Sequence, residues 1–124
     1  MENKPAQLVL RVDGGRDADD EDRAELARRL RKDLLELDVE AVEPVRSRDL
    51  PVGAKGDAVT IGALAVTLAP AALTALTNML QSWLSRRERA SVTLESRGEK
   101  IVVTGNPSKE QQRMIDAFVR RHKA

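Results

Sequence analysis

Four groups of residues have types and spacings that invite a chemical reading. Asp17, Asp19 and Glu21 alternate as the oxygen ligands of a calcium loop do. The pattern then breaks: Asp22 stands where the tight-turn glycine belongs, and Arg28 where the closing bidentate acid belongs. Acids placed here instead cap the free amides of a helix and oppose the positive end of its dipole. Gly53-Ala54-Lys55-Gly56-Asp57 shares only composition with a phosphate loop, because the spacing is wrong and no Ser or Thr follows Lys55. A turn is expected there, with Asp57 capping the element that follows. His122 is the only histidine and is expected to be frayed and solvated; without a cysteine, a triad or a zinc site has no further members. Arg86, Arg87 and Arg89, with Arg120, Arg121 and Lys123, could contact phosphates. No stacking aromatics accompany them and the net charge is only +1, so they read as cations at helix C-termini. No catalytic, cofactor-binding or metal-ligating residue is assigned, and no nucleic-acid partner.

The elements that must position such groups follow from periodicity. Leu8, Leu10 and Val12 alternate with Gln7, Val9 and Arg11, which predicts a strand ended by Asp13-Gly14-Gly15. Leu26, Leu30, Leu34 and Leu37 predict a helix over about 20–37. Val39 to Val42 reads as a second strand, with Pro44 at an edge or strand end. Strand, helix, strand predicts two parallel strands joined by a right-handed crossover. Val92 and Leu94, then Ile101 and Val103, predict a hairpin around Arg97-Gly98 or Gly98-Glu99. Ser108 and Gln111 form a capping box for a last helix whose buried face is Met114, Ile115, Phe118 and Val119.

The rest of the chain is organised around the run Ala58 to Ser85, which holds no charge although 33% of all residues are charged. Leu73, Leu76, Leu80, Trp83 and Leu84 share one helical face. The Ala- and Leu-rich first half is read as helix too, with Gly62, Ala65 and Ala69 forming a small-residue ridge for close helix approach. Pro70 then either kinks one helix or opens a second that meets the first near Ala69. A continuous helix here would reach about 40 Å, enough for a bilayer core of about 30 Å. Buried core or oligomer interface is the leading reading and a membrane span the alternative. Trp83 could anchor the core, an interface or a membrane boundary. The fold class is α+β: a two-layer domain spanning 1–124 in the order β-α-β-α-β-β-α, with a four-stranded mixed sheet and frayed tails at 1–6 and 121–124.

Gly53-Ala54-Lys55-Gly56-Asp57, Ile61-Gly62, Leu80-Gln81-Ser82-Trp83-Leu84-Ser85-Arg86-Arg87, Val92-Thr93-Leu94 and Ile101-Val102-Val103-Thr104-Gly105 together resemble the effector-associated constant component family, type one. The resemblance runs over about residues 7–120. It implies a small bacterial protein found beside variable effectors, peptidase-like modules and NTPases in conflict (immune-type) systems. It implies no catalytic residues, and a non-enzymatic adaptor or scaffold that joins an effector or NTPase. The residues add self-association, with Gly62, Ala65, Ala69, Trp83, Arg86 and Arg87 as candidate interaction residues and the cytoplasm as location. The alternative is an inner-membrane-tethered regulator with residues 58–84 as its span.

Overall fold

The computed structural model describes residues 4–46 and 59–123. The phosphate-loop-like stretch and Asp57 therefore lie outside the described residues. β1 (Ala6–Asp13) buries Leu8, Leu10 and Val12 and turns Gln7, Arg11 and Asp13 outward, as the alternation predicts. Its turn is held by Gly15, whose backbone N–H donates to Asp13 Oδ1 at 2.9 Å. α1 (Asp20–Leu34) begins at the acidic cluster. Asp22 N donates to Asp19 Oδ1 at 2.8 Å and Asp19 N to Asp22 Oδ2 at 3.1 Å, a reciprocal box built from two aspartates. Acids in the first turn and Arg31 and Lys32 in the last complement the helix dipole. The helix stops before Leu37, which still packs against the core, as does Leu26.

β2 (Ala41–Arg46) is an edge strand with Pro44 inside it. The uncharged run departs from expectation in its first half: Val59–Leu68 is strand β3, not helix. β3 lies between β2 and β1, so backbone hydrogen bonds on both sides outweigh the helix propensity of its Ala and Leu residues. The expected span over 58–84 is divided between a strand and a helix, and no helix among the described residues is long and apolar enough to cross a membrane. Pro70 opens a 3₁₀ turn (Pro70–Ala72) that leads into α2 (Leu73–Ser85), so it does start a new helical segment, although what precedes it is a strand. α2 buries Leu73, Leu76, Leu80, Trp83 and Leu84 as expected. It has no side-chain cap at its N-terminus. A cap is worth about 1 kcal/mol, whereas each fully buried Leu contributes about 1.5–3 kcal/mol, so burial holds this helix in place.

β4 (Ser91–Ser96) and β5 (Glu99–Val103) form the predicted hairpin, with Arg97 and Gly98 both at positive φ in its turn. α3 (Lys109–Lys123) starts at the predicted box: Gln111 N donates to Ser108 Oγ at 3.1 Å and Ser108 N to Gln111 Oε1 at 2.8 Å. Residues 121–123, expected as a frayed tail, complete this helix, and Ala6 already belongs to β1. Ile115, Phe118 and Val119 are buried, but Met114 is 56% exposed and His122 takes the next place on the stripe.

The sheet has five strands in the order β2-β3-β1-β4-β5, and every neighbouring pair is antiparallel. This corrects the four-stranded mixed sheet. β1 and β2 do run the same way, but β3 is inserted between them, so the crossover joins strands that are not neighbours. One apolar core takes in the inner sheet face and side chains of all three helices. The molecule is therefore α+β with two layers, helices on one face of the sheet.

Candidate interaction site

The face of the sheet opposite the helices is set by strand register. Glu43, Ala65, Val9, Glu95 and Lys100 form one row across all five strands. Ala63, Arg11, Thr93 and Val102 form the next row, and Ala41, Thr67 and Gln7 another. β3 contributes only Ala63, Ala65 and Thr67 to these rows, so a strip of small side chains runs beside the middle strand β1, whose Gln7, Val9 and Arg11 are longer; Ala63 itself is buried. Longer charged groups stand around the strip. Arg11 Nε and Lys100 Nζ lie 4.0 and 3.8 Å from Glu95 Oε2; both cations are exposed, whereas Glu95 is half-buried and this oxygen accepts no hydrogen bond among the described residues. Among the described residues no helix lies over this face.

The six candidate interaction residues do not come together. Gly62 and Ala65 fall on opposite faces of β3, because a strand alternates every residue, so no ridge with Ala69 forms. Gly62 has φ +80°, and an added Cβ would sit 3.2 Å from the Val12 carbonyl oxygen and 3.5 Å from Arg23 Cβ. Its role is to admit α1 close to the sheet. Ala65 sits on the outer face between Val9 and Glu43. Ala69 is exposed where the 3₁₀ turn begins. Trp83 is 4% exposed, so it is a core residue. Arg87 covers it: the guanidinium carbon lies 4.1 Å from the ring centroid and Nη1 donates to the Trp83 carbonyl at 3.0 Å. Arg86 is exposed at the end of α2.

One polar cluster escaped the sequence reading. His122 is buried, not solvated: its ring packs against that of Phe118, tilted by 35° with the centroids 4.2 Å apart, and its Nε2 lies 2.7 Å from Glu99 Oε1. A carboxylate only accepts, so Nε2 carries the proton of that bond. Arg121 Nε donates to Glu99 Oε1 at 3.2 Å and its Nη2 to Oε2. Hydrogen bonds from Arg121 first, then His122, hold the Glu99 carboxyl below the usual carboxylate range. Pro5, Ala6, Gln7, Ser96, Arg97 and His122 line a cavity of about 200 Å³ beside the cluster. Ser96 Oγ donates to the Gln7 carbonyl at 3.1 Å. This ties the end of α3 to the β4–β5 hairpin and the start of β1. The spacing of Ile115, Phe118, Val119 and His122 on one stripe was a signal available in the sequence.

Residues 14–121 match the family model described as Effector Associated Constant Component 1. The chain belongs to this family. The match runs from the turn after β1 through α3, slightly displaced from the stretch over which the resemblance was read. Comparison with curated proteins and with solved structures gives no significant match. Membership in Effector Associated Constant Component 1 implies an effector-associated component of conflict systems.

Proposed function

We propose that the chain is a cytoplasmic, non-enzymatic adaptor that holds an effector or an NTPase through protein–protein contacts and also self-associates. The observation that carries this reading is the match to an effector-associated family over nearly the whole chain. The outer face of the sheet supplies a surface suited to it. Ala65, Thr67 and Ala41 make a strip of small side chains on which a partner could pack, and Arg11, Glu43 and Lys100 around it could fix orientation. Of the six candidate residues only Ala65 lies on this face: Gly62 and Trp83 serve the fold, Arg87 covers Trp83, and the exposed Ala69 and Arg86 lie at the ends of the helical segment after β3. The membrane-tethered reading is not carried forward, because its span is part strand.

Co-expression with any effector or NTPase encoded beside this chain tests the proposal. A stable complex is expected with the wild type, and its loss is expected with Ala65→Arg, which puts a long cation on the small-residue strip. The circular dichroism of the variant should stay unchanged. Failure of both kinds of partner to co-purify, or a complex indifferent to Ala65→Arg, contradicts the proposal.

A further inference from the structure

The two edges of the sheet are built differently. β2 carries three devices that discourage strand addition. Pro44 removes a donor, Arg31 Nε of α1 donates to the Val42 carbonyl at 3.1 Å, and the register shifts between Pro44 and Arg46. β5 carries none of these. Its register with β4 is unbroken from Glu99 to Val103, and it contains no proline. Among the described residues no side chain is hydrogen-bonded to its backbone. It presents consecutive β-branched Ile101, Val102 and Val103, with Val102 54% exposed. Of its two charges, Lys100 is directed to Glu95 on β4 and Glu99 to Arg121 and His122 on α3.

We infer that β5 pairs antiparallel with β5 of a second copy, joining two sheets into one continuous ten-stranded sheet. The inference rests on the proposed self-association and assigns its surface. The occupant is argued from self-complementarity. Partners across an antiparallel ladder share a face, so a two-fold axis must pass through a residue pair rather than between residues. Centred on Lys100, the pairing sets like charges opposite each other and is disfavoured. Centred on Ile101, it sets Lys100 against Val102. Centred on Val102, it sets Val102 against Val102 on the outer face, Ile101 against Val103 on the core face, and Lys100 against Thr104. Only this last register matches apolar with apolar on both faces. The joined sheet presents the small-residue strip twice on one surface, so one dimer holds two partners, one on each half.

The chain has no cysteine, so a single introduced thiol reports the register directly. Val102→Cys places two thiols across the axis at a spacing a disulfide can span. Mild oxidation of the full chain is expected to give a covalent dimer, whereas Glu43→Cys on the β2 edge stays monomeric. Light scattering is expected to show a wild-type dimer whose dissociation constant rises roughly fivefold or more in Val102→Lys and little in Val102→Thr. A wild-type dimer indifferent to Val102→Lys, or preferential cross-linking through Glu43→Cys, overturns the β5 assignment and leaves self-association standing. A wild type that stays monomeric at millimolar concentration overturns self-association and the edge pairing with it.

Discussion

Gly105→Ala isolates the contact that sets α2 against the end of the hairpin. A Cβ built on Gly105 falls 2.4 Å from both the Leu84 carbonyl carbon and the Ser85 nitrogen, and 2.6 Å from the Leu84 carbonyl oxygen. These are backbone atoms, so no side-chain rotation relieves the clash. Ordinary contact requires the last turn of α2 and the connector before α3 to separate by about 1 Å. Two effects oppose each other. Alanine restricts the unfolded chain and would stabilise by about 0.4–1 kcal/mol at an unstrained site. Overpacking against backbone costs about 1–3 kcal/mol, and toward the upper end where nothing can rotate away. The net is a loss of about 2 kcal/mol, or a fall in Tm of roughly 6–10 °C for a domain of this size. Gly98 is the control: a Cβ there meets nothing within 4 Å, but φ is +81°. Gly98→Ala should lose about 1 kcal/mol through its left-handed backbone alone, and Gly98→Asn less. At Gly105 the order reverses, with Asn worse than Ala because space is what limits it. Thermal unfolding followed by circular dichroism gives all four values. A Tm for Gly105→Ala equal to or above the wild type would refute the close approach of α2 and the connector.

Three further outcomes follow from the same structure. Leu68→Ala on the core face of β3 should cost about 2–5 kcal/mol in urea unfolding, whereas Ile61→Ala, 48% exposed, should cost under about 1 kcal/mol; equal costs would contradict the strand. His122→Ala should lose about 2 kcal/mol, because it removes a buried ring packed against Phe118; a solvated histidine would give no measurable change. The folded-state pKa of Glu99 lies below its unfolded value, so the unfolded chain binds more protons. The contribution of Glu99 is thus present above the ordinary carboxylate range and is lost as pH falls through the depressed value; Glu99→Gln should flatten that acid limb of the urea midpoint against pH.

Local signals were legible wherever one short rule decided the outcome. β1 showed itself by alternation, α3 by Ser108 and Gln111, and the hairpin by Arg97-Gly98 between β-branched runs. α1 was legible too, although its box uses Asp19 and Asp22. β3 was not legible, because period-based reasoning needs a polar face to count from. In Val59–Leu68 the outer-face positions include Ile61, Ala63, Ala65 and Thr67, none of them charged, so no clear alternation survives, and the Ala and Leu residues favour a helical reading. Val59, Thr60, Ile61, Val66 and Thr67 were the β-branched signal that outweighed them. That misreading carried the candidate site with it: Gly62, Ala65 and Ala69 share a ridge only at helical spacing, and a strand separates the first two. The strand order was equally hidden, since β3 enters between β1 and β2 from later in the chain. His122 lay on a legible stripe, but its partner Glu99 is 23 residues away, across a turn that no local pattern spans.

The claim that the small-residue face of the sheet receives the effector or NTPase can be tested within single strands. Methyl-labelled chain titrated with the purified partner should show shifts at Val9 and Ala65, on the outer face, while Leu8 and Leu64, their chain neighbours on the core face, stay in place. Shifts confined to methyls of α2 or α3, with Val9 and Ala65 unmoved, would contradict the account.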